Sequence, residues 1–240
     1  MFPMELPDTL DDTLLALRNS LAQMARWGCR GFDCSEQTVR TLAAWDRPPV
    51  GVQTETQERL EDIRDDLGDC RRCALAGGRT HLVFGEGDPR AELVFVGEGP
   101  GFEEDRGGRP FVGPAGQLLT RIIEAMHLSR EQVYICNVVK CRPPENRNPL
   151  PEEIGACRPF LERQLSAIRP KAICVLGAVA AHTLLETEAP ISHLRGRFHD
   201  YHGIKVMPTF HPSYLLRNPE QKRVVWEDVK KIMALLRIPL

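Results

Sequence analysis

The sequence predicts an α/β fold in which helices cover both sides of a parallel sheet, and two observations support this prediction. Four short apolar runs rich in strand-forming residues recur along the chain, and segments with helical spacing separate them. The runs are apolar at consecutive positions, which is typical of strands buried on both faces. The 240 residues are therefore expected to hold one such domain plus an extension.

The extension is predicted at residues 1–60, as an acidic helical segment followed by a linker. Leucines recur at helical spacing within 9–28, which predicts an amphipathic helix. The segment 46–57 is polar and contains several helix-breaking residues, as expected of a linker. A second helix then leads to Cys70, the first of the cysteines considered below.

The remaining residues, 61–240, are predicted to form the main domain. Strands are expected at 92–97, 132–139, 171–177 and 204–210, and helices at 114–127, 152–168, 178–186 and 219–236. Ligands of parallel α/β sheets bind at the carboxyl ends of the strands. The unusual residues of this chain follow those ends, in "GEGPG", "NVVKC", "LGA" and "TFHPSYLL". The functional site is therefore expected at that edge of the sheet.

The charge distribution keeps DNA or RNA open as a partner. The formal net charge is −2, but residues 1–69 carry −7 and residues 70–240 carry +5, so the main domain is modestly basic. No stretch approaches the roughly 20 apolar residues of a membrane span. The first residues, "MFPMELPDTLDD", also lack the basic and apolar regions of a signal peptide. Neither a membrane span nor a signal peptide is expected.

The glycine-rich turn "VGEGPG" at 96–101 is not expected to bind a nucleotide cofactor. A dinucleotide loop of the G-x-G-x-x-G kind runs straight into a helix whose amides meet the pyrophosphate. Here the glycines occupy every second position, and three acids follow, Glu103, Glu104 and Asp105. Those acids would repel a phosphate, so the turn needs another function.

The eight cysteines fall into groups by their surroundings. Cys136 and Cys174 lie in strand runs and are interpreted as buried apolar residues, whereas Cys29 and Cys34 are assigned no role. The remaining four lie in "CRRC", "KCRPP" and "ACRPF", and they are Cys70, Cys73, Cys141 and Cys157. Four thiolates of this kind can hold zinc or an iron–sulfur cluster. The residues alone leave the choice of metal open.

Four motifs, in order and with this cysteine frame, resemble the family 4 uracil-DNA glycosylases, an iron–sulfur family of bacteria and archaea. They are "GEGPG", "GRPFVGPAGQLL", "VYICNVVKCRPPENRNP" and "TFHPSYLLR", within about residues 65–238. The resemblance implies a three-layer α/β/α sandwich with a central four-stranded parallel sheet. It also implies a DNA repair enzyme that hydrolyses the N-glycosidic bond of uracil and leaves an abasic site. A 4Fe–4S cluster would be held by Cys70, Cys73, Cys141 and Cys157.

The resemblance also assigns the uracil pocket. Asn137 would read uracil, since its amide complements the N3 donor and O4 acceptor of the base, and Phe111 would stack on the ring. His211 would donate to O2 as negative charge develops there. The glycine-rich turn, including Gly97, would wrap the base, and Glu98 would help to exclude the thymine methyl group.

The remaining assignments concern water and DNA. Glu104 is predicted to position the attacking water and to act in catalysis with His211. Leu215 is expected to insert into the base stack as an apolar wedge. Phosphates are expected to meet arginines and the start of the last helical stretch, at Arg142, Arg147, Arg217, Pro212 and Ser213.

The expected partner is uracil-containing DNA, single- or double-stranded, bound by a monomer in the cytoplasm of a bacterium or archaeon near its nucleoid. One alternative is an iron–sulfur protein of the same superfamily that binds uracil-DNA without turnover. Such relatives carry a basic, histidine-containing insertion where this chain has "RPPENRNPLPEE", which favours turnover. Another alternative, an iron–sulfur electron carrier, would leave Asn137, Phe111 and His211 without a function.

Overall fold

The computed structural model describes residues 58–239. The predicted helix at 9–28, the linker at 46–57 and the pair Cys29 and Cys34 lie outside the described residues. The division of the chain at residue 60 stays a prediction for the same reason. Within the described residues no helix is long and apolar enough to cross a membrane.

The sheet of the described domain has six strands, two more than the four predicted. They are β1 (Glu86–Gly87), β2 (Leu93–Gly97), β3 (Tyr134–Asn137), β4 (Ala172–Leu176), β5 (His199–Tyr201) and β6 (Ile204–Thr209), in the spatial order β1-β3-β2-β4-β6-β5. The four predicted strands are the central parallel ones, β2, β3, β4 and β6. The short edge strands β1 and β5 pair antiparallel. Their sequences, "EG" and "HDY", are too short and polar to give an apolar signal.

Helices cover the sheet on both faces, as predicted. The α-helices are α1 (Leu60–Leu67), α2 (Phe102–Gly107), α3 (Pro114–Ala125), α4 (Pro151–Ile168), α5 (Ala178–Leu185), α6 (Ile191–Leu194), α7 (Pro212–Arg217) and α8 (Lys222–Leu236). Short 3₁₀ turns lie at Ala74–Gly77, Pro144–Asn146 and Pro219–Gln221. Helices α3 and α4 begin with proline at the first turn, where its missing N–H costs nothing.

Two apolar cores lie on opposite faces of the sheet, which gives three layers. Alternate residues of β2 divide between them: Val94 and Val96 face one core, and Leu93 and Phe95 face the other. The first core packs α1, α4, α5 and α6 against the sheet, and the second packs α3, α7 and α8. The α/β/α sandwich is therefore confirmed.

One helix was not predicted from the sequence. It is the six-residue helix α2, which begins directly after the glycine-rich turn. The last helical stretch begins at Pro212 as predicted, with α7, and a 3₁₀ segment connects it to α8, which lies within the predicted 219–236. Helices α2 and α7 each begin a few residues after a central strand, so the loops that precede them lie at the carboxyl edge of the sheet.

Candidate functional site

A cavity of about 590 Å³ opens at the carboxyl edge of the sheet. It is bounded by the loops that follow all four central strands. Its lining includes Glu98, Gly99, Gly101, Glu104, Phe111, Asn137, Asn146, Arg147, Gly177, His211, Ser213, Tyr214 and Arg217. The edge predicted for the site is thus the edge at which the structure brings most of the predicted residues together.

Asn137 brings an unpartnered acceptor to this cavity. The residue is 1 % exposed, and within residues 58–239 its Oδ1 is the one buried side-chain oxygen or nitrogen without a hydrogen bond. Buried polar atoms normally have partners, because leaving one unpaired costs about 1–3 kcal/mol. The arrangement therefore fits a site that completes its hydrogen bonds only when a ligand donates to Oδ1.

Gly97 lies against both predicted base contacts. It pairs with Asn137 across β2 and β3. A Cβ at this position would lie 2.5 Å from Oδ1 of Asn137 and 2.5 Å from Cζ of Phe111. Any side chain here would displace these two groups, so the first glycine of the turn is required by close packing.

Phe111 holds its ring in the cavity by means of a strained turn. Its φ is +53°, a left-handed conformation that bulky residues rarely adopt. The ring centroid lies 5.6 Å from that of His211, with the planes tilted by 35°. Gly116 makes room for the turn, since a Cβ there would lie 1.9 Å from the carbonyl carbon of Phe111.

Arg130, which no sequence pattern indicated, holds the same turn in place. Its guanidinium donates to the carbonyl oxygens of Pro110 at 2.7 Å and Phe111 at 3.0 Å. It also forms an ion pair with Glu86 at 2.6 Å. Arg130 lies just before β3, outside every motif of the resemblance, so no sequence signal connected it to the cavity.

His211 presents a neutral imidazole in a fixed tautomer. Its Nδ1 accepts the backbone N–H of Ser213 at 3.1 Å and lies 2.8 Å from the Ser213 hydroxyl. Burial lowers the pKa of His211 to about 4; nearby Glu104 opposes this shift and Arg217 adds to it. With Nδ1 occupied as an acceptor, the proton of the neutral ring is on Nε2.

The carboxylate of Glu104 joins two loops at the cavity. Its Oε1 accepts the backbone N–H groups of Val112 at 2.9 Å and Gly113 at 2.8 Å. Its Oε2 accepts that of Gly101 at 3.1 Å, which caps helix α2. Both oxygens are thus held by main-chain donors from the glycine-rich turn and from the loop of Phe111.

Glu98 is the second acid of the cavity, and its environment differs. It is half-buried in the lining, and desolvation raises its pKa above the ordinary value. Its carboxyl group has no hydrogen bond or ion pair within the described part of the chain. It therefore faces the cavity with unused acceptor capacity.

The three arginines predicted to contact DNA occupy different environments. Arg217 is exposed at the cavity. Arg147 also lines it, but its guanidinium is committed to a two-point ion pair with buried Glu153 at 2.7 and 2.8 Å. Arg142 lies outside the lining and donates to Oδ1 of Asn146 at 2.8 Å. The backbone N–H of Ser213 is already donated to His211, so it is not available to a phosphate.

Leu215 is not exposed, so the prediction that it forms an apolar wedge is wrong. It is 1 % exposed and belongs to the core between α3, α7 and α8. The helical turn of α7 instead directs the next residue, Leu216, outward, with 42 % of its surface exposed. Two other exposed apolar residues lie beside the lining, Phe102 next to Gly101 and Leu150 two residues from Asn148.

Four cysteines line a second, smaller cavity. Cys70 and Cys73 from the segment after α1, Cys141 after β3 and Cys157 on α4 meet there, together with Lys140. Arg79 donates to Sγ of Cys141 at 3.3 Å, and Arg72 donates to Sγ of Cys70 at 3.5 Å. As predicted, Cys136 and Cys174 lie apart, buried in β3 and β4.

The donor set of this cavity is four thiols, and such a set can hold zinc or an iron–sulfur cluster. In residues 58–239 no group of three or more His, Cys, Asp or Glu side chains is placed to hold a metal ion. Burial raises the pKa of Cys141 to about 11, an effect that Arg79 opposes and that Cys157 and Cys73 increase. Cationic donors around four thiols are suited to the negative charge of an iron–sulfur cluster.

Comparison with known proteins identifies the family. The profile of the uracil DNA glycosylase superfamily matches residues 84–230. The type-4 uracil-DNA glycosylase of Thermotoga maritima is 48 % identical over 75 % of this chain and 96 % of its own length. Those of Sulfurisphaera tokodaii and Archaeoglobus fulgidus are 45 % and 44 % identical, over 76 % and 73 % of this chain and 87 % and 92 % of theirs. The chain belongs to the type-4 uracil-DNA glycosylases of this superfamily.

Proposed function

We propose that this member of the type-4 uracil-DNA glycosylases removes uracil from DNA by hydrolysing its N-glycosidic bond, leaving an abasic site. The unpartnered Oδ1 of Asn137 in the cavity is the observation that carries the proposal. Enzymes that act on a base extrude it from the stack and read its Watson–Crick edge. The N3–H of uracil supplies the donor that Oδ1 lacks.

Base recognition would use three neighbouring groups. Oδ1 of Asn137 accepts N3–H of uracil, while its Nδ2 donates to O4. Cytosine presents an acceptor at N3 and a donor at N4, so both contacts would fail. The ring of Phe111 stacks on the base, and the absence of a side chain at Gly97 lets the turn approach it. Glu98, which also lines the cavity, is proposed to oppose the methyl group of thymine.

Cleavage would depend on electrostatic stabilisation of the departing base. As the glycosidic bond breaks, negative charge collects on O2 of uracil and positive charge on the sugar. The Nε2–H of neutral His211 donates to O2, and its fixed orientation requires no reorganisation during the reaction. The low polarity that lowers the pKa of His211 also strengthens this hydrogen bond.

The acid proposed to orient the water is Glu104. Three main-chain donors hold its carboxylate at the cavity wall, and Oε2 has one acceptor position remaining for a water. The same negative charge would stabilise the cationic sugar. The oxygen of the water bonds to the sugar carbon that uracil leaves. One proton of the water passes to the departing uracil or to solvent.

The surface around the cavity mouth is proposed to hold the DNA. Arg142 and Arg217 would contact phosphates, and the hydroxyl of Ser213 could add a contact without its amide. Leu216 replaces Leu215 as the apolar side chain proposed to fill the gap left by the extruded nucleotide. One monomer would then cover a single lesion, in single- or double-stranded DNA of the bacterial or archaeal cytoplasm.

The cysteine cavity is proposed to hold a 4Fe–4S cluster on Cys70, Cys73, Cys141 and Cys157. When bound, the cluster would supply covalent links between three chain segments rather than a step of the reaction. The cysteines come from the segment after α1, the loop after β3 and helix α4. Tying these segments together would fix the loop that follows Asn137.

A turnover assay tests the proposed function. Enzyme is mixed with a 50-fold excess of oligonucleotide containing one uracil, and abasic sites are counted by alkaline strand cleavage. Many abasic sites per protein molecule are expected, and none in the same oligonucleotide with thymine. One covalent complex per protein, stable to denaturation, would identify a binding protein and overturn the enzymatic proposal.

A further inference from the structure

Lys140 is a buried cation between the two cavities. Lys140 is 0 % exposed. Its Nζ donates a hydrogen bond to the main-chain oxygen of Asn137 at 2.7 Å and another to Oε1 of Gln164 at 2.6 Å. Both acceptors are uncharged. Among the described residues no carboxylate forms an ion pair with Lys140, although a buried charge normally requires a partner.

The surroundings of Lys140 fix its position on both sides. Gln164, also 0 % exposed, donates from Nε2 to the main-chain oxygen of Phe84 at 2.9 Å and to the Tyr134 hydroxyl at 3.3 Å. On the other side the lysine lines the cavity of the four cysteines. The ammonium group is therefore held between a rigid amide network and the thiols proposed to carry the cluster.

We infer that Lys140 is a positioning residue that holds the base-reading Asn137 in place from the side of the cysteine cavity. The inference rests on the proposed function, since it assigns to Asn137 the reading of uracil. The hydrogen bond to the main chain of Asn137 fixes the end of β3, where the side chain turns into the cavity. Four cysteine thiolates in a cluster would supply the negative charge that the ammonium otherwise lacks.

The contact has a specific consequence for catalysis. Without the Nζ donor, the main-chain oxygen of Asn137 would be buried and unpaired, at a cost sufficient to shift the strand end. A shift of about 1 Å in a group that orients a substrate costs on the order of 100-fold in rate. Loss of Lys140 should therefore weaken the preference for uracil, and only where Asn137 is present to be positioned.

A double-mutant cycle tests this inference. Lys140→Met and Lys140→Gln are made in the parent and in Asn137→Ala, and the visible absorption of each purified protein reports its cluster content. Single-turnover excision is measured, together with binding to oligonucleotides carrying 2′-fluoro-2′-deoxyuridine or its cytidine counterpart, which resist cleavage. Lys171→Met serves as a matched control, because Lys171 is exposed and pairs with Glu92 outside both cavities.

In the parent, Lys140→Met should slow excision by about 10- to 100-fold and reduce the uracil-to-cytosine binding preference. In the Asn137→Ala background, Lys140→Met should change neither the excision rate nor the binding preference by more than about 2-fold, because the effects of two residues that act as one unit do not add. Lys140→Gln keeps an N–H donor group at the end of the side chain, so it should retain more of the uracil preference than Lys140→Met, whatever the cluster content. Lys171→Met should match the parent.

Equal losses in both backgrounds would overturn the inference and leave Lys140 with a purely structural contribution. Equal uracil preference in the parent and both Lys140 variants would overturn it as well. Failure of the proposed function would look different, because the unmodified enzyme would then not excise uracil at all. The same series therefore separates the two claims.

Discussion

His211 faces the cavity in a hydrogen-bonding state that its neighbours determine. The backbone N–H of Ser213 occupies Nδ1, and burial keeps the ring neutral by lowering its pKa to about 4. The one remaining donor, Nε2–H, is thus available to the base. The sequence motif indicated the histidine but not its tautomer, because the tautomer depends on the turn that begins α7.

Replacing His211 by alanine removes this donor. Loss of one donor to a developing anion costs about 10²- to 10³-fold in rate, so His211→Ala should slow single-turnover excision by that factor. Binding to the uncleavable 2′-fluorouracil oligonucleotide should change by less than about 3-fold, because the contact strengthens mainly in the transition state. Equal losses in binding and rate would instead show that His211 binds the ground state.

The same residue predicts a pH effect on stability. The pKa of His211 is lower in the folded protein than in the unfolded chain, so the unfolded chain takes up a proton first as the pH falls. Its contribution to stability is therefore present above about pH 6.5 and is lost between about pH 6.5 and 4. His211→Ala should show a smaller loss of stability over this window, measured by urea denaturation.

Single residues differ in how far the sequence could predict them. Asn137, Phe111 and His211 lie in the motifs that carry the resemblance, and the structure brings all three to one cavity. Leu215 was wrongly expected to be exposed, because the sequence does not show which side of a six-residue helix packs against α3. Arg130 contacts the site through the backbone of a distant turn, and such contacts leave no local pattern.

At the scale of elements, the loop between α2 and α3 forms one wall of the cavity. Glu104 joins the end of this loop to the glycine-rich turn, and Arg130 holds the strained turn at Phe111. A left-handed backbone at a bulky residue persists only where its surroundings impose it. The motif "GRPFVGPAG" indicated that this loop belongs to the site. It did not predict the left-handed backbone at Phe111 or the hydrogen bonds from Arg130.

Replacing Arg130 should allow the turn at Phe111 to leave its strained conformation. Arg130→Met is expected to slow single-turnover excision by about 10-fold or more, since the two hydrogen bonds to the turn and the ion pair with Glu86 are lost. Arg109→Met provides a matched control, because Arg109 also pairs with Glu86, at 2.7 Å, but is largely exposed. An equal effect of the two substitutions on excision would contradict the positioning of Phe111 by Arg130.

At the scale of the whole molecule, the sequence predicted the layers and the four central strands. It missed the edge strands, because two or three polar residues pair only when a neighbouring strand presents its free edge. The spacing in the sequence places Cys70 close to Cys73. Whether these two residues lie close to Cys141 and Cys157 depends on how α1 and α4 pack. That convergence appears only in the folded domain.

The cysteine cavity predicts a coloured protein when purified without oxygen. Serine at Cys70, Cys73, Cys141 or Cys157 should abolish the visible sulfur-to-iron band and lower the melting temperature. Serine at Cys136 or Cys174 should leave the band unchanged, because those thiols lie in the strands. A colourless, fully active preparation with one zinc per chain would refute the assignment of the cluster.

Asn137→Asp tests whether the amide of Asn137 reads uracil. The substitution keeps the acceptor but removes the donor to O4, and a carboxyl group suits the exocyclic amine of cytosine better. Single-turnover rates are measured on otherwise identical oligonucleotides containing uracil or cytosine. We expect at least a 100-fold loss of rate on uracil and a higher cytosine-to-uracil ratio of rates than in the parent. An unchanged rate on uracil would show that Asn137 does not read the base.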